Sequence, residues 1–188
     1  MKDYLSGSAE VARWAVFLDR DGVLNELVER EGKKVSPRSL EEFRIIPEVS
    51  GAVQKIRREL GALAIVVTNQ PDVGRGGLEE RELRRMHEHL RLVTEIDDLF
   101  VCSHGTDECL CRKPRPGMLL EAAQEWGIDL TRSFVVGDTW KDIEAGRRVG
   151  CKTILLRRPY NVEVTADYET GDLHGAVEWI GQFRRGTS

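Results

Sequence analysis

The chain has 188 residues, 40% hydrophobic and 32% charged, with a formal net charge of −4. That length suits one domain with a real core, and the acidic balance argues against a generic nucleic-acid or membrane-surface binder. No apolar run approaches the ~20 residues of a membrane helix, and the opening MKDYLSGSAEVARW lacks the basic start and apolar stretch of a signal peptide. The expected address is the cytoplasm, where clustered thiols hold metals more often than they form disulfides.

WAVFLD (14–19) is short, apolar and β-prone, which predicts a buried strand. PEVSGAVQKIRREL (47–60) opens on Pro, spaces its apolar residues helically and runs into Gly61, a helix with its stop. ALAIVVTN (62–69) predicts a second buried strand. Residues 78–95 place Leu78, Leu83, Met86, Leu90 and Val93 near helical spacing. DLFVCS (98–103) is a third strand, and PGMLLEAAQEWG (116–127) a helix with Pro at its start and Gly at its end. SFVVGD (133–138) is a fourth strand, DIEAGRRVG (142–150) a short helix and CKTILL (151–156) a fifth strand, before the helical tail GAVEWIGQFRR. Strands alternating with helices predict an α/β fold, a Rossmann-like, mostly parallel sheet flanked by helices. Residues 26–46 are too few for a large cap and predict a small flap. The whole chain, 1–188, reads as a single domain.

In such folds function collects at the carboxyl ends of the strands. Four predicted strand ends carry unusual polar residues: Asp19 and Asp21; Thr68-Asn69-Gln70; the cysteine loop with Lys113; and Gly137-Asp138. Taken alone, Asp19-Arg-Asp21-Gly is equally a turn with two solvated acids. Asp138 ends another apolar strand, with Asp142 one helical turn later. Acids from separate strands meeting in one crevice repel unless a cation lies between them. Magnesium suits a few carboxylate oxygens, waters and a substrate phosphate; Lys113 and Thr68 suit the phosphate itself.

Three of the four cysteines lie in Cys102-x-His104-x4-Cys109-x-Cys111. Four soft ligands in one short loop, 102–111, predict a closed, structural zinc site, in preference to incidental thiols or a disulfide.

In order, D19-R-D21-G-V-L-N, T68-N-Q, K113-P and G137-D138-x3-D142 resemble the four motifs of the haloacid dehalogenase superfamily of phosphatases. With the Cys/His loop and CRKPRPGM, the chain is similar to the subgroup of histidinol-phosphatases and D,D-heptose 1,7-bisphosphate phosphatases, the heptose enzymes above all. That resemblance implies Asp19 as nucleophile and Asp21 as general acid and base. It implies Mg2+ on the Asp19 carboxylate, the Asp21 carbonyl and Asp138, with Asp142 orienting a metal water. It implies Thr68 and Lys113 on the phosphoryl oxygens, Asn69, Gln70 and Arg112 at the substrate, and Zn2+ on Cys102, His104, Cys109 and Cys111, fixing the loop that aims Arg112 and Lys113. The implied reaction is loss of the C7 phosphate from D-glycero-D-manno-heptose 1,7-bisphosphate through an aspartyl-phosphate, in carbohydrate metabolism that feeds lipopolysaccharide or nucleotide-heptose synthesis. The implied substrate is a small sugar bisphosphate; the charge and hydropathy pattern predicts no nucleic acid and no membrane, and the enzyme is expected to be a monomer. Histidinol-phosphate phosphatase is the alternative within the fold, and a non-catalytic zinc-loop binding module the alternative outside it.

PDVGRGG (71–77) departs from the Ser-Gly usual after TNQ in these phosphatases and reads as a flexible loop. Arg75 within it either binds a second phosphate or does not. Trp140 either lines the entrance or packs. Cys151 reads as a buried core thiol, His87 and His89 as surface residues of a charged helix, and His174 as without a partner.

Overall fold

The computed structural model describes residues 12–106 and 108–186; most of the N-terminal stretch read above for a signal peptide lies outside them. Six strands form the main sheet: β1 (Ala15–Leu18), β4 (Leu63–Asn69), β5 (Asp98–Cys102), β6 (Phe134–Gly137), β7 (Lys152–Leu156) and β8 (Tyr168–Thr170). Their order is β5-β4-β1-β6-β7-β8, and every pairing is parallel. Between β1 and β4 a two-stranded hairpin, β2 (Val28–Arg30) and β3 (Lys33–Val35), pairs with itself alone. This is the small flap expected of residues 26–46.

Six helices complete the described fold: α1 (Val49–Gln54), α2 (Pro71–Gly74), α3 (Glu80–Thr94), α4 (Gly117–Trp126), α5 (Trp140–Arg148) and α6 (Leu173–Gly186). α1 runs on through a π-helical turn, Lys55–Glu59, so the stretch predicted as one helix keeps its length but changes its winding. Gly127, at φ +64, closes α4 in the left-handed conformation that glycine adopts without cost.

The central strands are buried on both faces, so they read as continuous apolar runs. Alternation sorts each strand between two cores. Val16, Leu18, Val66, Val136 and Ile154 pack with α1, α3 and α6. Ala15, Phe17, Ile65, Val67 and Val135 pack with α4 and α5. Cys151 belongs to the second core, where burial pushes its thiol up to about 12. No helix among the described residues is long and apolar enough to cross a membrane.

The sheet order sets the site. The chain leaves β1 for β4 and β5 on one side, then returns to β6 on the other. The carboxyl end of β1 is therefore a topological switch point, where an open parallel sheet leaves a crevice.

Candidate active site

Asp19 follows β1 at that switch point, its backbone N–H tied to the Val136 carbonyl at 3.0 Å. Lys113 reaches it from the loop after β5. Its ammonium donates to Asp19 Oδ1 at 2.9 Å, Asp142 Oδ1 at 2.5 Å and the Val67 carbonyl at 2.7 Å, and the residue is 3% exposed. Burial opposes its charge, but the Asp142 and Asp19 carboxylates outweigh this and hold its pKa above the ordinary lysine value. Asn69 clamps the lysine from β4: its Oδ1 accepts from Lys113 N and its Nδ2 donates to Lys113 O, both at 3.0 Å. The Lys113–Pro114 peptide is cis.

Asp138 ends β6, and Asp142 lies in the first turn of α5. Asp19, Asp138 and Asp142 each bring a carboxylate oxygen within 4.8 Å of one another. Burial, then the charge of Asp142, raises Asp19 well above the carboxylate range; the same two causes push Asp138 up to about 6. Asp142 spends both oxygens: Oδ2 accepts from Thr139 N and Oγ1 at 3.0 and 2.6 Å in a capping box, and Oδ1 takes Lys113. Asp138 Oδ2 accepts the Tyr160 hydroxyl, while Oδ1 is buried and has no hydrogen-bond partner among the described residues. A buried anionic oxygen without a donor is costly. With Asp19 and Asp142 crowded beside it, a divalent cation fits this donor set, and magnesium's preference for carboxylate oxygen and water fits it best.

Gly22, at φ +83, turns the chain beneath this cluster; a Cβ there would collide with the Asp138 carboxylate. Asp21 borders the same cavity as Asp19 but has its own set of donors. It takes a fork from Arg20 Nη2 (2.9 and 3.0 Å), Asn25 Nδ2 (2.9 Å), Ser36 Oγ (2.9 Å) and Gln70 Nε2 (2.7 Å). Burial alone would raise its pKa, but Arg20 and then these hydrogen bonds bring it below the ordinary value. Arg20 is fully buried, stands 5.4 Å from the Phe43 ring and bonds His87 Nε2 through Nη1 at 3.0 Å. Burial, then Arg20, lowers His87 to about 3, so its neutral Nε2 accepts. His87 is thus a half-buried partner of the site, not the surface residue expected; nothing local in a charged helix signals a contact 67 positions away.

A cavity of ≈ 640 Å³ opens over Asp19, Asp21, Asn69, Arg112, Lys113 and Asp138. Thr68 and Gln70 lie behind its wall, each 1% exposed, with Gln70 Nε2 bonding Thr68 Oγ1 at 2.8 Å. Gln70 therefore positions Asp21 and Thr68, where a substrate contact was expected. Arg75 is exposed off the cavity wall and donates to the Gly105 carbonyl at 2.9 Å. The 71–77 stretch expected as loop begins as helix α2. Trp140 is 53% exposed and belongs to neither core. His174 has a partner, Glu178, at 3.7 Å.

Strand register sets Asn69 beside Cys102, so the cysteine loop starts next to the lysine site. Cys102 Sγ lies 3.5 Å from Cys109 Sγ and 3.5 Å from His104 Nδ1; Cys111 Sγ lies 3.2 Å from the same nitrogen. A tetrahedral zinc with bonds of 2.0–2.3 Å has edges of roughly 3.5–3.8 Å, so the four groups stand close to a zinc shell. Arg112 Nη1 ties back to the His104 carbonyl at 3.1 Å, and Gly74 N–H to Ser103 O at 3.0 Å.

A carboxylate on the central strand, a lysine and an acid pair from the flanking loops are the parts of a haloacid dehalogenase-like phosphatase. The profile of the family described as HAD-hydrolase-like matches residues 110–169. The D-glycero-beta-D-manno-heptose-1,7-bisphosphate 7-phosphatase of Rhodopseudomonas palustris is 36% identical over 151 residues, 73% of this chain and 80% of that protein. The D-glycero-alpha-D-manno-heptose-1,7-bisphosphate 7-phosphatase of Photorhabdus laumondii is 35% identical over 153 residues, 74% of this chain and 80% of that protein. The crystal structure of D,D-heptose 1,7-bisphosphate phosphatase from B. bronchiseptica, complexed with magnesium and phosphate, aligns with a TM-score of 0.77 at 26% identity, covering 90% of this chain and 99% of that one. The chain belongs to the heptose-1,7-bisphosphate 7-phosphatase family of haloacid dehalogenase-like phosphatases.

Proposed function

We infer that the chain hydrolyses the C7 phosphate of a D-glycero-D-manno-heptose 1,7-bisphosphate, with Asp19 as nucleophile and Mg2+ as cofactor. The observation that carries this is the Asp19–Asp138–Asp142 cluster, with Lys113 hydrogen-bonded to Asp19 and one buried Asp138 oxygen lacking a donor. The magnesium and phosphate bound by the similar B. bronchiseptica enzyme support it.

Asp19, Asp138 and the Asp21 backbone carbonyl would hold Mg2+. Asp142, already committed to Lys113 and Thr139, would act through them and through a metal-bound water. The ion supplies charge neutralisation for carboxylate and phosphoryl oxygens when bound.

The Asp19 carboxylate attacks phosphorus and the P–O bond to the sugar breaks, leaving an aspartyl-phosphate. Lys113 holds the phosphoryl charge at 2.9 Å from the nucleophilic oxygen. Thr68 supports that group from behind the wall. Asp21 gives a proton to the departing sugar oxygen and then takes one from the water that splits the aspartyl-phosphate. Its donors favour the ionised form, so it is poised as the base of the second step. Proton uptake for the first step follows the arrival of the phosphate dianion. Zn2+ on Cys102, His104, Cys109 and Cys111 would fix the loop that carries Arg112 and Lys113. The small flap, the single-domain layout and the monomer follow the same reading.

Phosphate release with Mg2+ from the α- and β-anomers and from histidinol phosphate tests it. The expected result is a heptose preference of about a hundredfold in kcat/KM, or ~2.7 kcal/mol. Asp19→Asn should lower kcat by at least about 10³. Preference for histidinol phosphate would overturn the substrate and leave the mechanism.

A further inference from the structure

The acids of the cluster keep few oxygens free. Asp142 has both committed, Oδ2 to Thr139 and Oδ1 to Lys113. Asp19 Oδ1 takes Lys113 at 2.9 Å and the Arg20 N–H at 2.8 Å. Asp138 Oδ2 takes the Tyr160 hydroxyl, so that Oδ1 is its one oxygen without a partner among the described residues. A carboxylate at this position can turn both oxygens on a cation. The Tyr160 hydroxyl withholds one of them.

An exposed tyrosine beside a carboxylate commonly bonds it for want of another partner. Here the segment after β7 is built onto the β6 exit. Asn161 is 3% exposed; its Nδ2 donates to the Asp138 and Leu156 carbonyls, both at 2.8 Å, and its Oδ1 accepts from the Arg158 N–H at 2.9 Å. Arg158 Nη2 donates to the Gly22 carbonyl at 3.0 Å. These bonds deliver Tyr160 to Asp138, and Gly22 leaves the room: a Cβ there would strike Asp138 Oδ2 and stand 3.2 Å from the Tyr160 hydroxyl oxygen. The turn after β1, the end of β6 and the segment after β7 thus converge on one O–H···O contact.

We propose that Tyr160 is a positioning residue that selects magnesium over calcium, by leaving Asp138 a single oxygen for the cation. This rests on the magnesium reading above. Calcium takes about six to eight oxygens and accepts both oxygens of one carboxylate, whereas magnesium needs near-octahedral geometry and keeps several waters. A site that offers single oxygens suits magnesium. Freeing Oδ2 gives calcium a ligand it uses and gives magnesium none that it needs. Hydrogen bonds to ligating carboxylates tune metal affinity in this way.

The test is metal binding to the full chain, dialysed free of magnesium, with zinc content measured on each sample. Calorimetry gives Kd for Mg2+ and for Ca2+ in the wild type, in Y160F and in Y160A. Both variants lose the hydroxyl, and only Y160A loses the ring. Tyr160 is 47% exposed and lies in neither core, so both variants should fold, which far-UV circular dichroism checks. The expected result is a ratio of Kd for Ca2+ to Kd for Mg2+ that falls at least about fivefold in both variants, through tighter Ca2+. Ca2+ should also halve Mg2+-supported phosphate release at a correspondingly lower concentration. A ratio that falls less than fivefold in Y160F, or that moves only in Y160A, overturns the role of the hydroxyl and leaves the magnesium reading standing. A wild type that binds no Mg2+ and releases phosphate equally without it overturns both.

Discussion

Asp21 shows how much of this site depends on residues that touch no substrate. Its carboxylate is set by Arg20, and Arg20 is set by His87 and the Phe43 ring. A fully buried guanidinium must have its donors met, and a neutral imidazole meets one without adding a charge. His87→Gln keeps an acceptor there; His87→Ala does not. The expected outcome is a kcat for Ala about tenfold below wild type with KM little changed, and a kcat for Gln close to wild type. A KM effect of equal size in both variants would contradict this. The pH dependence carries a definite sign. His87 is near 6.5 when unfolded and about 3 when folded, a depressed value. Its contribution to stability is present above pH 6.5 and is lost as pH falls toward 3. Urea unfolding at pH 7 and pH 5 should therefore cost the wild type about 1–2 kcal/mol more than His87→Gln. Sequence could not show this chain of contacts. The Asp19-x-Asp21 spacing announces the acids, but which donors Asp21 finds is decided by α3 packing over the β1 exit.

At the scale of elements, the buried strands were legible because both faces are apolar, as in Val16 and Phe17 on β1. β8, DYET in its setting, was not: it is a short edge strand with no alternation and only half-buried residues. The β2–β3 hairpin was foreseen as a flap by length alone, since its polar residues signal a surface and nothing more. α2 hid behind glycines that are there for another reason. Gly74 packs against the backbone of Ser103 and Gly105, where no side chain fits. That contact couples the cysteine loop to the β4 exit. Cys109→Ser should therefore release zinc and lower kcat/KM about tenfold to a hundredfold, with far-UV circular dichroism unchanged, because the loop meets only the margin of the second core, through Cys102, Cys109 and Cys111. Zinc content by mass spectrometry and activity on the same sample check it; full activity in a zinc-free variant would contradict it.

For the whole molecule, the sheet order explains why distant motifs meet. β1 lies between β4 and β6, so Asp19 stands between the Asn69 clamp and Asp138 without any long insertion. The alternation of strands and helices made the fold readable, and the four strand-end motifs made most of the site readable. Charge balance across the crevice was readable only as repulsion awaiting a cation. The unpartnered Asp138 oxygen and the committed Asp142 are facts of packing that no spacing encodes. The central claim is removal of one particular phosphate, with magnesium. Phosphorus NMR of a reaction on D-glycero-D-manno-heptose 1,7-bisphosphate tests it most directly. The account predicts that, with Mg2+, the C7 signal disappears, inorganic phosphate appears and the C1 phosphate signal persists. It also predicts that chelation stops the change. Loss of the C1 phosphate first, or equal turnover in the presence of a chelator, would contradict it.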